Sequence, residues 1–384
     1  MPFFPPVLAV TPISKFANGK KMFCEIVNHL TIYENSTPGA PDAGAWFPGI
    51  VRLPDGELYA TFSTGDDFEG RMTMAASRSA DDGASWKSEG AMFDGFDLGL
   101  GNLKPTLLAD GTLVCLGYGF SFGDDGLVNS ATGGLAPGGN YVAFSRDDGR
   151  SWSTPQRFDT GHPEVLETSG PCVELRNGDL LAVGTPFPMW DGKMPSGRRG
   201  FVLRSTDKGR SWRSDGVFFD SERGSIAPYE TRIVQQPSGR IVVMIWCLDE
   251  AVGKSLNNHV VFSDDDGHSW SRAIDTGTAG QASNLLPLED GTLLAVHCVR
   301  EGDDAGLFLN RARIIADRWE VLQSAKVWSG RSSARIRSLD DMGGNLKFGQ
   351  PSLLRLVDGD YLAAHWASSG KSGCILGHRL KLDL

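Results

Sequence analysis

Along most of the chain, short apolar runs alternate with tight polar turns. Six segments share one arrangement, in which Val, Ile and Leu alternate with other residues on both sides of Asp-Gly, Asn-Gly or Ser-Gly. They begin at Phe47, Leu103, Gly170, Thr231, Ala282 and Gln350. Apolar alternation around such a dipeptide is the strongest short-range signal for a β-hairpin. The pattern therefore predicts six hairpins and no long amphipathic helix.

A second pattern, S-x-D-x-G-x-S-W, lies between the hairpins and occurs four times. The copies are Ser79 to Trp86, Ser145 to Trp152, Ser205 to Trp212 and Ser263 to Trp270. The Asp carboxylate can accept hydrogen bonds from the following backbone N–H groups, and the Gly can adopt a positive φ. The Trp can then cover apolar surface between strands, so we expect all four indoles to be buried. Repetition in successive modules favours a structural turn over four catalytic or metal-binding sites.

Hairpin, loop and box together make a repeating unit of four strands. Six such units at intervals of roughly 50 to 70 residues predict an all-β fold, a six-bladed β-propeller of four-stranded antiparallel blades. The last unit lacks a strand, and the N-terminal segment EIVNHLTIYE, residues 25–34, is predicted to complete it. Units five and six lack a recognisable box, and RIIADRWEVL in unit five keeps only the Trp.

Length, charge and cysteine usage narrow the classes of protein. The 384 residues carry evenly spread repeats, which predicts one domain over residues 1–384. A net charge of −10 without a Lys/Arg cluster argues against nucleic acid and anionic membranes as partners. No signal peptide or membrane-spanning run is visible, and most of the six cysteines fall in predicted strands. We therefore expect a cytoplasmic protein with buried thiols, and no metal or cofactor.

Repeated boxes on four-stranded blades resemble the sialidase superfamily, whose members carry them as Asp boxes, or BNR repeats. The resemblance covers nearly the whole chain and implies a six-bladed propeller. It also implies an active site where the inner strands begin and their partner strands end. Glycosidases, polysaccharide lyases and non-catalytic propellers all carry Asp boxes, so the resemblance leaves these three functions open.

The positions that match the sialidase active site differ from the family pattern. Trp46 stands where sialidases begin Arg-Ile-Pro, and Trp246 stands at the second arginine that holds the sialic acid carboxylate. Gln350 stands at the nucleophilic tyrosine, whereas Glu230 matches the glutamate that assists this nucleophile. Because no tryptophan replaces a bidentate arginine, we expect a sugar other than a typical sialoside.

The same face is predicted to collect groups suited to carbohydrate chemistry. Glu230, with Asp67 or Glu167, can supply the paired carboxyl groups of a glycosidase. Aromatic faces stack on sugar rings and polar groups bind their hydroxyls. The predicted substrate-binding residues are Trp46, Trp246, His259, Arg300, Gln350, Trp366, Arg331 and Arg335.

Three functions follow from these residues. The first is an exo-acting glycoside hydrolase that uses Glu230 with Asp67 or Glu167. The second is a lyase acting at a uronic acid, in which His297, His365 or Tyr229 removes a proton. The third is a sugar-binding propeller without catalysis. All three have a carbohydrate as partner.

Overall fold

The computed structural model describes residues 22–34, 43–66, 72–96, 100–121, 126–221, 224–333, 345–368 and 373–384. Within them the repeated hairpins form six antiparallel sheets, which are the blades of a six-bladed propeller, as the sequence predicts. In blades 1 to 5 the strands follow one another in chain order from the inner to the outer edge.

The strands of the first three blades have the following bounds. Blade 1 contains β2 (Ala43–Arg52), β3 (Leu58–Asp66), β4 (Met72–Ser79) and β5 (Lys87–Ala91). Blade 2 contains β6 (Leu100–Leu107), β7 (Leu113–Phe120), β10 (Gly138–Ser145) and β11 (Gln156–Phe158). Blade 3 contains β12 (Val173–Glu174), β13 (Leu180–Gly184), β14 (Arg199–Ser205) and β15 (Arg213–Asp220). A separate small hairpin, β8 (Val128–Asn129) and β9 (Gly134–Leu135), lies between β7 and β10.

The remaining blades close the ring. Blade 4 contains β16 (Ile226–Gln235), β17 (Ile241–Asp249), β19 (Asn257–Ser263) and β20 (Ile274–Ala279), with β18 (Lys254–Ser255) paired to β17. Blade 5 contains β21 (Ser283–Pro287), β22 (Leu293–Val299), β23 (Gly306–Ile315) and β24 (Arg318–Ser329). Blade 6 contains β25 (Phe348–Arg355), β26 (Tyr361–Ser368), β27 (Gly373–Leu382) and β1 (Cys24–Glu34).

The N-terminal strand β1 is the outer strand of blade 6. It pairs antiparallel with β27, in a register that runs from Cys24 opposite Leu382 to Glu34 opposite Cys374. This confirms the prediction that residues 25–34 complete the last blade. The two ends of the described chain are thereby joined in one sheet.

The Asp boxes have the predicted hydrogen bonds. In the first box, the Asp81 carboxylate accepts from the backbone N–H of Ser85 at 2.8 Å, and Ser79 Oγ accepts from the N–H of Gly83 at 2.8 Å. The Trp86 indole N–H donates to the carbonyl of Gly83 at 3.2 Å. The other three boxes repeat these contacts.

The burial expected for all four box indoles is wrong in three cases. Trp212 is 6% exposed, but Trp86, Trp152 and Trp270 are only half-buried. All four indole N–H groups donate to the carbonyl of the box Gly, so the difference lies in packing: Trp212 is a member of a buried cluster, whereas the other three indoles pack against the margins of theirs. The cost of removing an indole should therefore differ between boxes.

The two faces of the propeller carry different loops. Hairpin turns and Asp boxes share one face, where Arg52 contacts Asp82 at 2.7 Å and the N–H of Val357 donates to Asp82 at 3.0 Å. The opposite face carries the longer connections, among them the β8–β9 hairpin, which Thr132 ties to the carbonyl of Trp190 at 2.7 Å. No helix in the described part of the chain is long and apolar enough to cross a membrane.

Candidate functional site

Three inner strands contain a strained bulge. Phe47, Glu230 and Gln350 have φ values of 61°, 45° and 42°, although none is a glycine. Each lies at a register shift between the first and second strands of blades 1, 4 and 6. A non-glycine residue in this conformation costs about 1–3 kcal/mol, and such strain concentrates at functional sites. The bulges mark one end of the propeller axis as the candidate site.

The carboxyl group of Glu167 contacts the backbone of Glu230 at the bulge of blade 4. The backbone N–H of Glu230 donates to Glu167 Oε2 at 3.0 Å, and the hydroxyl of Thr185 donates to the same oxygen at 3.3 Å. Glu230 Oε2 lies 3.1 Å from Arg300 Nη1, which comes from blade 5. Both glutamates are buried, at 4% exposure for Glu167 and 7% for Glu230.

These two carboxyl groups differ in their surroundings. Burial, and then the negative charge of Glu230, raises the pKa of Glu167 to about 8. Glu167 is therefore protonated at neutral pH. The Arg300 guanidinium forms an ion pair with Glu230, with Nη1 3.1 Å from Oε2. The site thus contains one neutral carboxylic acid next to one carboxylate.

Two further cations, Lys104 and Arg232, lie on the inner strands around this pair. The Lys104 amine donates to the carbonyls of Phe47 and Pro48 at 3.0 and 2.8 Å. Burial, and then the charge of Arg232, lowers the pKa of Lys104 well below its ordinary value. Arg232 Nη1 donates to Ser169 Oγ at 2.8 Å.

Several buried polar atoms of the site have no hydrogen-bond partner within the described residues. They are Arg232 Nε and Nη2, Arg300 Nη2, Asn102 Oδ1 and Thr231 Oγ1. Buried polar groups are nearly always paired, so these atoms are candidates for contact with a bound molecule. The set contains donors and acceptors together, which suits hydroxyl groups because a hydroxyl both donates and accepts.

The aromatic residues lie behind the site rather than in it. Trp246, predicted to offer its ring to a sugar, is instead 0% exposed. Its ring packs 5.5 Å from that of Tyr229 and 5.6 Å from the guanidinium carbon of Arg300, and its N–H donates to Ser255. Trp46 and Trp366 are also buried in the core. Protein atoms cover these indoles because the neighbouring blade packs against the strands that carry them.

The predicted proton-abstracting residues are not directed to the carboxyl pair. His365 lies between blades, with Nε2 2.9 Å from His378 Nε2, and His297 stacks on Phe308. Burial lowers the pKa of His297 and of His365 to about 4. The Tyr229 hydroxyl donates to Glu250 at 2.8 Å, and its pKa is raised by burial and then by Glu250. These positions give no support to the lyase hypothesis.

The other predicted residues are dispersed. Gln350 is buried at its bulge, and its amide oxygen lies 3.4 Å from Asn102 Nδ2. His259 is on the third strand of blade 4, where Nδ1 contacts the carbonyl of Asn257. Arg331 is exposed. Asp67 and Arg335 lie outside the described residues, so their roles remain predictions.

Sequence reasoning missed Lys104 and Asn102 and assigned no role to Arg232. The sequence does mark all three positions, because each is a charged or amide residue within an otherwise largely apolar inner strand, LGNLKPTL or IAPYETRIVQ. An inner strand is covered on both faces by adjacent blades, so a polar residue there must turn towards a partner or the axis.

Comparison with known proteins identifies the class of this fold. The family model for a BNR repeat-like domain matches residues 127–332, which is more than half of the chain. The protein belongs to this family of BNR repeat-like domains.

Solved structures at low sequence identity share the fold. A protein of unknown function from Dyadobacter fermentans is 20% identical, with a TM-score of 0.74 over 94% of this chain and 99% of that one. The Hadza microbial sialidase Hz136 is 19% identical, with a TM-score of 0.61 over 88% of this chain and 66% of the sialidase. Penicillium chrysogenum α-L-arabinanase, complexed with arabinobiose, is 14% identical, with a TM-score of 0.62 over 93% and 98%.

Proposed function

We propose that this protein is an exo-acting glycoside hydrolase whose carboxyl pair is Glu167 and Glu230. The observation that carries the proposal is the hydrogen bond from the Glu230 N–H to Glu167 Oε2, which joins two glutamates in unlike environments. Glycoside hydrolysis requires one protonated and one ionised carboxyl group near the working pH. Two structurally similar proteins are described as a sialidase and an arabinanase, which adds support for a carbohydrate substrate.

The unlike environments assign a role to each glutamate. Glu167, protonated at neutral pH, donates its proton to the glycosidic oxygen as the bond to the sugar breaks. Glu230, held by Arg300, acts through its carboxylate as the base for water or as the nucleophile. The bulge at Glu230 turns this residue out of strand alternation, which permits the approach to Glu167.

The substrate is proposed to be bound through its hydroxyl groups. Arg232 offers two buried N–H donors, whereas Asn102 and Thr231 offer acceptors or a hydroxyl. The positions that match the first two arginines of the sialidase site are Trp46 and Trp246, both buried. A sialoside would lose those two charge pairs, which favours another sugar as substrate.

A panel of aryl glycosides, including a sialoside, tests the proposal through release of the aryl group. We expect turnover of at least one neutral glycoside and loss of about 10²-fold or more in Glu167→Gln and in Glu230→Gln. Glu174→Gln is the control, because Glu174 belongs to the same blade as Glu167 but its carboxylate pairs with Lys208 at the surface.

Three results would contradict the proposal. One is turnover that is undiminished in both carboxamide variants. Another is an unsaturated product that absorbs ultraviolet light, since a hydrolase forms no double bond and a lyase does. The third is binding of sugars without any product after long incubation, which would favour a non-catalytic propeller.

A further inference from the structure

A row of hydrogen-bonded polar side chains lies at the edge of blade 3. None of its residues belongs to the axial site, which is the site around Glu167 and Glu230 at the propeller axis. Glu164 accepts two hydrogen bonds from Ser196, one from the backbone N–H and one from the hydroxyl, both at 2.7 Å. Ser196 Oγ lies 3.0 Å from His162 Nδ1. His162 Nε2 lies 3.0 Å from Ser214 Oγ. The order is therefore acid, hydroxyl, imidazole, hydroxyl.

In this row of side chains, the hydrogen-bond partners of each group determine where its proton lies. The carboxylate can only accept, so the Ser196 hydroxyl proton points to Glu164. The oxygen of Ser196 must then accept from His162 Nδ1–H. A neutral imidazole with a proton on Nδ1 has its lone pair on Nε2, which accepts the hydroxyl proton of Ser214. This is the proton arrangement of a nucleophile and its general base.

The imidazole is held in place and suited to act as a base. Its ring packs 4.0 Å from that of Phe201, and burial lowers the pKa of His162 below its ordinary value. It is therefore neutral at pH 7 and can take up a proton. The carboxylate that orients the relay, Glu164, is buried.

The nucleophile position is accessible. Ser214 is exposed on β15, next to a register shift where Asp215 is the extra residue in the strand. His162, which contacts Ser214, and Glu164 line a cavity of about 350 Å³ between blades 2 and 3. Its wall combines the apolar Phe158 and Val165 with the polar Arg157, Asp159 and Thr160, so it offers contacts to both the acyl chain and the polar ester group.

Neither the axial site nor the Asp-box repeat explains this row of hydrogen-bonded side chains. Ser214 stands two residues after the box Trp212, and Ser88 stands at the same place after Trp86 in blade 1. Among the residues that the structure describes, the hydroxyl oxygen of Ser88 accepts only from the N–H of Gly90, at 3.3 Å, and no histidine contacts it. The repeat therefore accounts for a serine at this place, but not for the imidazole, the second hydroxyl and the buried carboxylate.

We propose that Ser214 and His162 form a second catalytic site, which cleaves small carboxylic esters with Ser214 as the nucleophile. Ser214 Oγ attacks the carbonyl carbon while its proton passes to His162 Nε2. The carbon–oxygen bond of the ester breaks, and the alcohol leaves with that proton. Water, deprotonated by His162, then cleaves the acyl–Ser214 ester and releases the carboxylic acid. Ser196 and Glu164 are positioning residues that hold the tautomer.

The test uses a fluorophosphonate, which loses fluoride when a serine oxygen bonds to its phosphorus, and p-nitrophenyl acetate as substrate. We expect an adduct on the peptide that contains Ser214, no such adduct in Ser214→Ala, and labelling slowed by about 10²-fold or more in His162→Gln. Ser88→Ala is the matched control and should be labelled as fast as the wild type.

Glu164→Gln tests the relay without removing a reacting group. The backbone N–H of Ser196 needs the amide oxygen, so the amide NH₂ faces Ser196 Oγ and its hydroxyl proton turns to His162 Nδ1. His162 then carries its proton on Nε2 and cannot accept from Ser214. We expect ester turnover to fall to the level of His162→Gln at every pH, while unfolding by urea and aryl glycoside turnover stay unchanged.

Three results would overturn the proposal. They are an absence of label on Ser214, equal labelling of Ser214 and Ser88, and a labelling rate in His162→Gln equal to that of the wild type. Because none of these residues is in the axial site, failure here leaves the glycoside hydrolase proposal unaffected, and the converse also holds.

Discussion

Acid should destabilise this propeller through histidines buried between its blades. His297 and His365 have pKa values lowered to about 4 by burial, and burial also lowers the pKa of His378. In an unfolded chain a histidine has a pKa of about 6.5. As the pH falls below about 6.5, the unfolded chain binds protons that the folded chain does not. Stability is therefore full above this pH and is lost progressively down to about pH 4.

The magnitude follows from the difference in proton affinity. A fall in pKa from about 6.5 to about 4 corresponds to roughly 3–4 kcal/mol for each of His297 and His365. Two such groups reduce the free energy of unfolding by about 7 kcal/mol, which is comparable with the whole stability of a typical domain. His378 acts in the same direction.

The hydrogen bonds of the histidines in blade 6 explain why protons are excluded. His365 Nδ1 donates to the carbonyl of Trp366 at 3.0 Å, so its Nε2 must accept from His378 Nε2 at 2.9 Å. His378 Nδ1 must in turn accept from His29 Nδ1, at 2.6 Å. A proton added to His365 or His378 would replace an acceptor by a donor and break one of these bonds. Trp328 and Phe348 pack against His365 and supply no counter-charge.

Urea unfolding between about pH 7 and about pH 5, followed by tryptophan fluorescence, measures the effect. Near pH 5, between the folded and unfolded pKa values, the three histidines should give a slope of about 4 kcal/mol per pH unit, and His297→Phe, which keeps an aromatic ring next to Phe308, should reduce it by about a third. His268→Gln is the control, because His268 is exposed in the fourth Asp box. An unchanged slope in His297→Phe, or a free energy of unfolding that does not decrease below about pH 6.5, would refute the reasoning.

Three further predictions concern the fold and the axial site. Trp212→Ala should lower the free energy of unfolding in urea by about 3–5 kcal/mol, and Trp86→Ala by clearly less, because Trp212 is buried and Trp86 is not. Equal losses in the two variants would contradict this. Glycoside turnover should fall as the pH rises through about 8, where Glu167 loses its proton. If the Glu167→Gln variant shows the same fall in turnover at alkaline pH, Glu167 is not the acid. Arg300→Met should lower the free energy of unfolding by about 3–5 kcal/mol, because it leaves Glu230 buried without its partner. Adding Glu230→Gln to this variant should restore part of that stability. If the effects of the two substitutions simply add, the pair is not coupled.

The sequence predicts the fold well because its signals are local and repeated. Asp-Gly turns define each hairpin, each Asp box is closed by contacts within eight residues, and the missing strand of blade 6 leaves residues 25–34 as its completion. The sequence also predicts Glu230 as one carboxyl group of a pair, with Asp67 or Glu167 as the other. The hydrogen bond between Glu230 and Glu167 is a structural finding, because it depends on how blades 3 and 4 pack.

The rest of the site depends on interactions that strand alternation does not describe. The bulge at Glu230 inserts an extra residue, so side chains beyond it no longer alternate as the sequence suggests. Trp246 and His365 have strand positions that match site residues, but the adjacent blades cover them. Lys104 and Arg232 reach the site from different blades, and their convergence requires the closed ring.

The polar site also joins the blades that carry it. Lys104 of blade 2 binds the carbonyl of Pro48 in blade 1, and Ser352 of blade 6 donates to the same oxygen at 2.9 Å. Arg300 of blade 5 donates to the carbonyl of Phe348 in blade 6 at 2.9 Å and pairs with Glu230 of blade 4. Buried charges are tolerated only when they are paired or hydrogen-bonded, and here the partners come from neighbouring blades. The geometry of the carboxyl pair is therefore fixed by the ring as a whole, and a substitution that loosens one blade interface should alter the site even when it touches neither glutamate.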